Sequence, residues 1–299
     1  WGIMEGALRN LCQRKVLCCM CGAFSDKWIN VAKRAGKEAD ALQVEWGQNI
    51  DPGELKSKLQ SGEYDVVTLV HNETSCGMMN PLEEIMSVLK EFPDVISVID
   101  TVSSFSVVSI PKDDWGIDVI LTGSQKALAM PPGLGLFSVS ERAFERAEKT
   151  EGRGYYFDFI EFRSNHAKGM TPSTPVIPLI HALNYTLKKI FSEGMENRFQ
   201  RHADLNQMVH QWVANKGFEL LPKTEFASKS LTCVRNNLDI DVAGFVKKLR
   251  EERKISIDGG YGKIKGKTFR ISNMGDETED SINHLLSNMD EVISQFLPA

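Results

Sequence analysis

Short apolar runs alternate with amphipathic stretches over the first half of the chain. The runs predict strands at residues 15–21, 40–45, 65–71, 95–101, 118–122 and 134–138. Amphipathic patterns between them predict helices at residues 27–35, 51–61 and 81–91. Prolines at positions 52 and 81, each after Asp or Asn, are typical of helix starts. Strands that alternate with helices predict an α/β fold, with a doubly wound and mainly parallel sheet covered on both faces.

The pattern changes after residue 163. A proline-punctuated segment at 171–175 leads into a long helical region at 177–214. Beyond it, strands are predicted at residues 218–221, 230–234, 255–257 and 268–271, and helices at 242–252 and 277–296. This order predicts a large domain of residues 1–200 and a smaller C-terminal α+β domain of residues 201–299. Because residues 2–11 already have a helical pattern, we expect an N-terminal part of the large domain to be missing from this sequence.

Composition narrows the possible functions. The 299 residues carry 40 acids against 35 bases, a net charge of -5, so no broad basic surface for nucleic acid is expected. The longest mostly apolar stretch is interrupted by Asp100, so no membrane span is expected. Six cysteines lie mainly in apolar runs, and no second Cys/His pair accompanies Cys19 and Cys21. We therefore expect reduced core cysteines, no metal site and a cytoplasmic protein.

Polar residues follow three of the predicted strands, at 71–75, 100–104 and 122–126. Ligands of doubly wound sheets bind outside the carboxyl ends of the strands, so these loops are expected to converge on one site. Alone, Asp100 fits a core acid held by local amides, and Lys126 fits a surface charge. Together, only 26 residues apart, they fit pyridoxal phosphate, which needs a Schiff-base lysine and an acid on its ring nitrogen.

Four sequence blocks, HNETSCG, VIDTVSSF, TGSQKALAMPPGLGL and FRISNMG, resemble those of class V aminotransferases of fold type I in order and spacing. The nearest branch contains the alanine-glyoxylate and serine-glyoxylate (serine-pyruvate) aminotransferases, and the likeness extends from residue 1 to about residue 296. The resemblance implies a seven-stranded, mainly parallel sheet in a large domain, a small C-terminal domain, pyridoxal 5'-phosphate as cofactor and a homodimer.

The resemblance also implies roles for residues around the cofactor ring. Lys126 would be the Schiff-base lysine and proton carrier, and Asp100 would pair with the ring nitrogen. Val102 would pack on one ring face and Phe24 on the other, although Phe24 also fits a core aromatic at a helix start. Ser75 would donate to the phenolic oxygen of the cofactor.

Further residues are implied at the cofactor phosphate. Gln125 would help to bind it, and Trp1 with Gly2 would be what remains of a turn that cradles it at a helix N-terminus. Ser173 and Thr174 lie in a segment that resembles the family's contact to the phosphate of the neighbouring subunit. Either hydroxyl fits that role.

Arg270 matches the family's arginine that clamps the substrate carboxylate. No second arginine stands out for a side-chain carboxylate. The resemblance thus implies transamination between alanine or serine and glyoxylate or pyruvate, small amino-acid and oxo-acid substrates. The alternatives are a lyase or desulfurase, for which Cys233 is the only late cysteine, an aminophosphonate transaminase on the same scaffold, and a non-catalytic relative.

Overall fold

The computed structural model describes residues 1–297. Eleven α-helices lie in this part of the chain: α1 Gly2–Leu11, α2 Asp26–Arg34, α3 Pro52–Leu59, α4 Leu82–Leu89, α5 Lys112–Trp115, α6 Glu141–Glu148, α7 Phe159–His166, α8 Ile177–Glu193, α9 Met195–Asn215, α10 Val242–Arg253 and α11 Glu279–Ile293. It also contains eleven strands: β1 Lys15–Met20, β2 Glu38–Gln43, β3 Val66–Val70, β4 Asn72–Glu73, β5 Met78–Met79, β6 Ile96–Asp100, β7 Val119–Gly123, β8 Gly135–Val139, β9 Glu219–Leu220, β10 Leu231–Arg235 and β11 Thr268–Ser272.

The main sheet has six strands in the order β2-β1-β3-β6-β7-β8. Every neighbouring pair is parallel except β7 and β8, which are antiparallel. The six strands are those predicted from the apolar runs, so the mainly parallel α/β sheet is confirmed. The seven strands implied by the resemblance are not all present, because no other segment of residues 1–297 pairs with the edge strands β2 and β8.

Helices cover both faces of this sheet. Alternate strand residues point to opposite faces, so Val16 and Cys18 join a core with α1, α2, α6 and α7. Leu17 and Cys19 point the other way and join a second core with α3 and α4. This two-sided burial explains why the strands read as nearly continuous apolar runs. The doubly wound arrangement predicted from the sequence is confirmed.

A separate antiparallel sheet, in the order β11-β10-β9, follows in the C-terminal part. It packs with α9, α10 and α11 around a third core that includes Phe245, Phe269 and Met289. The predicted strand at residues 255–257 is wrong, because Ile255 and Ile257 pack against this core without pairing and only Asp258 forms a bridge to Arg270.

The long helical region is broken in two at Gly194, whose φ of +85° cannot continue an α-helix. A domain boundary at residue 200 stays a prediction and would fall within α9.

All six cysteines are free and buried, which confirms their expected role as core residues. Burial raises the pKa of the Cys12 and Cys21 thiols to about 12. None of the helices in residues 1–297 is long and apolar enough to cross a bilayer.

Gly77 lets the loop after β3 lie directly against β10. Its φ is +65°, and a Cβ there would lie 2.6 Å from the Cβ of Cys233 and 2.8 Å from the backbone nitrogen of that residue. The Gly77 carbonyl accepts a hydrogen bond of 2.9 Å from the N–H of Ser228. The two sheets therefore meet at a position where only glycine fits.

Gly77→Ala is expected to destabilise the protein more than Gly36→Ala. Both positions have a positive φ, but a Cβ at Gly36 would meet no atom within 4 Å. The difference in the free energy of unfolding, measured with urea, isolates the clash and should be about 1–3 kcal/mol. Equal losses in the two variants would contradict the close approach of the sheets.

Candidate active site

Asp100 ends β6 and is 4% exposed. Its Oδ1 accepts a hydrogen bond of 2.9 Å from the N–H of Val102. Burial dominates and raises the pKa of Asp100 to about 7, with a further contribution from the charge of Glu73. Within residues 1–297 no cationic side chain forms an ion pair with Asp100.

Lys126 lies in the turn between β7 and β8. The hydroxyl of Ser124 donates to the carbonyl of Pro131 at 2.7 Å, and the N–H of Ala129 donates to the carbonyl of Lys126 at 2.8 Å, so the turn is fixed. Burial lowers the pKa of the Lys126 amine, the charge of Arg270 lowers it further, and Asp100 opposes both. A lowered pKa leaves more of the amine neutral and nucleophilic.

Arg270 lies on β11 and reaches the loop after β3. Its Nη1 donates to the carbonyl of Thr74 at 2.7 Å, while Nε and Nη2 contact the two carboxylate oxygens of Asp258, each at 2.9 Å. Lys126 and Arg270 line one cavity of about 730 Å³, together with Thr74, Gln125 and Asp258. The structure thus brings together the lysine and the arginine that the sequence placed 144 residues apart.

A second cavity, of about 480 Å³, contains the three residues expected at the cofactor phosphate of this chain, together with the two hydroxyl residues expected at the phosphate of the neighbouring subunit. It is lined by Trp1, Gly2, Val102, Gln125, Ser173 and Thr174. Gln125 lines both cavities, so they adjoin at that side chain. The cavity also includes the start of α1, where the first N–H groups of a helix have no partner within the helix.

Ser75 has a different environment from the one expected. Its hydroxyl donates to Glu73 Oε1 at 2.7 Å and accepts from the N–H of Ala23 at 2.9 Å. The residue is fully buried, so its single hydroxyl hydrogen is already used. Its neighbour Thr74 lines the cavity of Lys126 instead. The contact of Ser75 with a cofactor stays a prediction.

Phe24 lies at the edge of the site, half-buried, and stacks on Tyr261 with the ring centroids 5.3 Å apart. The guanidinium of Arg270 lies 5.7 Å from the centroid of the Tyr261 ring. Asp258 and Tyr261 flank Gly259 and Gly260, and neither residue is predicted from the sequence to be functional. The glycine-rich turn itself, just before the Arg270 strand, was the available signal.

Comparison with known proteins identifies the family. The sequence profile described as Aminotransferase class-V matches residues 13–283. The chain belongs to the class-V aminotransferases. It is 37% identical to an uncharacterized aminotransferase of Methanocaldococcus jannaschii, over 91% of this chain and 72% of the relative. A serine-glyoxylate aminotransferase of Methylorubrum extorquens is 33% identical, over 94% and 73%.

A solved structure agrees with this assignment. The alanine-glyoxylate aminotransferase of Nostoc sp. superposes with a TM-score of 0.92 at 28% identity, over 98% of this chain and 79% of that one. The chain is therefore a fold type I aminotransferase, and its cofactor is pyridoxal phosphate. The non-catalytic alternative is not supported.

The residues present fit this cofactor. Asp100 is a buried carboxyl with which no cationic side chain of the described residues pairs, and a protonated ring nitrogen would supply a cation. Lys126 offers an amine that forms no hydrogen bond or ion pair within the described part of the chain. The desulfurase alternative fits poorly. Cys233 lies on β10, which is hydrogen-bonded to β11, and burial raises the pKa of its thiol to about 12.

Asp100→Asn is expected to stabilise the cofactor-free protein at neutral pH. The pKa of Asp100 is about 7 in the folded protein against an ordinary 3.8, so the folded state holds a proton that the unfolded state releases. Stability attributable to Asp100 therefore falls as pH rises from about 4 to 7, at about 1.4 kcal/mol per pKa unit. At pH 8 the variant should gain on the order of 2–4 kcal/mol.

Urea unfolding of cofactor-free wild type and variant at pH 4 and pH 8 measures this difference. Asp113→Asn is the control, because the side chain of Asp113 is 96% exposed. A gain that is the same at both pH values would show that the charge of Asp100 is not its cause.

Proposed function

We propose that this aminotransferase exchanges amino groups between alanine or serine and glyoxylate or pyruvate. The observation that carries the proposal is the position of the Lys126 amine, within electrostatic reach of both Asp100 and Arg270 and in one cavity with Arg270. Relatives named as serine-glyoxylate and alanine-glyoxylate aminotransferases support these substrates.

The roles of the charged residues follow from their positions. Pyridoxal phosphate, when bound, supplies an electron sink for the carbanion left after a proton leaves the substrate Cα. Asp100 would hold the ring nitrogen in its protonated form. Lys126 would bind the cofactor through its amine and, once released by substrate, carry a proton between the substrate Cα and the cofactor C4′. Arg270 would bind the substrate carboxylate, which fixes the Cα beside Lys126.

The surrounding residues would hold the ring and the phosphate. Val102 and Phe24 would lie on the two ring faces, and Ser75 would support the phenolic oxygen if its hydroxyl turned from Glu73. At the phosphate of the same chain we propose Gln125 and the backbone at Trp1 and Gly2, and at the phosphate of the neighbouring subunit one hydroxyl from Ser173 or Thr174. The 480 Å³ cavity, which contains Trp1, Gly2 and Gln125 and adjoins the Lys126 cavity, supports the placement of these three residues.

We also propose a homodimer in a reducing compartment such as the cytoplasm. Large apolar side chains are exposed along and just before α8, including Tyr185 at 72%, Phe191 at 69% and Ile177 at 52%. Such a group of exposed apolar residues is typical of a subunit interface. Six free buried thiols fit a reducing environment.

Lys126→Ala is expected to abolish transamination and the visible absorbance that the protein gains with pyridoxal phosphate. The reason is that no other amine lines the same cavity within the described residues. The absorbance spectrum after dialysis against the cofactor measures this. Lys149→Ala, which removes an exposed lysine at the end of α6, is the matched control and should keep both properties. Retention of the band by Lys126→Ala would exclude Lys126 as the cofactor lysine.

Alanine and serine are expected to react faster than aspartate in the first half-reaction. Arg270 is the one arginine that lines the cavity among residues 1–297, whereas Asp258 and Glu277 add negative charge there. A second substrate carboxylate would be repelled, which should slow aspartate by about tenfold or more relative to asparagine, its neutral isostere. Loss of the cofactor's visible absorbance on mixing measures each rate. Equal rates for aspartate and asparagine would contradict this charge selection.

A further inference from the structure

The guanidinium of Arg270 already contacts a carboxylate of its own chain. Asp258 Oδ1 accepts from Nε at 2.9 Å, and Oδ2 lies 2.9 Å from Nη2, so the pair is bidentate. This is the geometry by which arginine binds a substrate carboxylate. Asp258 and Arg270 both line the cavity that contains Lys126.

The backbone fixes Asp258 in this position. Asp258 and Arg270 form an antiparallel bridge, in which the N–H of Arg270 donates to the Asp258 carbonyl at 2.8 Å. The N–H of Gly260 also donates to Asp258 Oδ1 at 2.8 Å. Gly260 has a φ of +91°, and a Cβ there would lie 2.7 Å from the carbonyl oxygen of Ile264, so the turn is tight. The carboxylate is therefore aimed at Arg270 by a rigid turn.

Part of the Arg270 guanidinium remains available to a ligand. A guanidinium has five N–H donors, and Asp258 and the Thr74 carbonyl use three of them. The Arg270 side chain is 13% exposed, whereas that of Asp258 is 46% exposed. The pair thus opens to the cavity on the side of Asp258. A substrate carboxylate that approaches Arg270 meets the negative charge of Asp258 at the same group.

We propose that Asp258 determines substrate affinity by competing with the substrate carboxylate for Arg270. This inference rests on the proposed function of Arg270 as the carboxylate clamp. Asp258 keeps Arg270 paired while the cavity is empty, and a monocarboxylate binds only by displacing or sharing that pair. The resulting affinity for amino donor and oxo acid is lower than an unpaired Arg270 would give.

The opposite role, in which Asp258 aids binding by orienting Arg270, predicts the opposite sign. Asp258→Asn separates the two roles. The substitution removes the negative charge, while the amide oxygen can still accept the hydrogen bond from the N–H of Gly260. Asp258→Ser is the second variant, since its hydroxyl also provides an acceptor for Gly260. Glu219→Gln is the matched control: Glu219 pairs with Arg235 at 3.8 Å in the same three-stranded sheet.

The experiment titrates propionate, a carboxylate without an amino group, into each holoenzyme and measures heat of binding. Asp258→Asn should bind propionate about two- to fivefold more tightly than wild type, as expected for loss of a half-exposed ion pair, and Glu219→Gln should match wild type. The KM for alanine should fall by a similar factor. Adding Arg270→Ala to Asp258→Asn should abolish the gain.

Unchanged or weaker binding by Asp258→Asn and Asp258→Ser, with unchanged melting temperatures, would overturn the competition. Propionate binding requires no turnover, so its result does not depend on whether alanine is the physiological donor. If propionate bound neither wild type nor any variant, Arg270 would be excluded as a carboxylate-binding residue. The proposal, which rests on that role, would then be wrong. The absorbance test on Lys126→Ala is independent of the propionate titration. Failure of the proposed competition can therefore be distinguished from failure of the proposed function.

Discussion

A buried carboxylate that forms no ion pair with any side chain of residues 1–297 is the constraint on which the site depends. Parallel pairing of β6 with β3 and β7 places Asp100 where water is excluded, and the N–H of Val102 holds it there. Its pKa of about 7 is the electrostatic consequence of burial. Within residues 1–297 no cationic side chain forms an ion pair with this carboxyl, so the strand end is suited to a ligand with a protonated nitrogen. Lys126 then lies where such a ligand would need an amine.

A second buried acid shows why burial alone does not identify a functional residue. Glu73 is as deeply buried as Asp100, but its carboxylate accepts hydrogen bonds from the N–H groups of Phe24, Ser25 and Ser75 and from the Ser75 hydroxyl. These contacts tie the start of α2 to the loop after β3. Glu73 is fully satisfied by the protein, and its role is structural. The difference between the two acids lies in their partners, which a sequence does not display.

Much of the fold and part of the site could be predicted from the sequence. Apolar runs located all six strands of the main sheet, because buried parallel strands are apolar on both faces. The polar residues after those runs indicated Asp100 and Lys126. The strand predicted at residues 255–257 is absent, since alternate burial of Ile255 and Ile257 against a core gives the same sequence pattern as a strand. Asp258 and Tyr261 were missed because their contacts, to Arg270 and Phe24, depend on how the glycine-rich turn folds.

The small sheet joins the site through one loop. Cys233 on β10 lies against Gly77, and Arg270 on the neighbouring strand donates to the carbonyl of Thr74. The acceptor is a backbone carbonyl, which every residue type has. This contact therefore places Arg270 without requiring threonine at position 74. The same loop carries Glu73, whose carboxylate accepts hydrogen bonds from the N–H groups of Phe24 and Ser25 at the start of α2. Arg270 and Phe24 thus share one support, and a displacement of that loop would move both together.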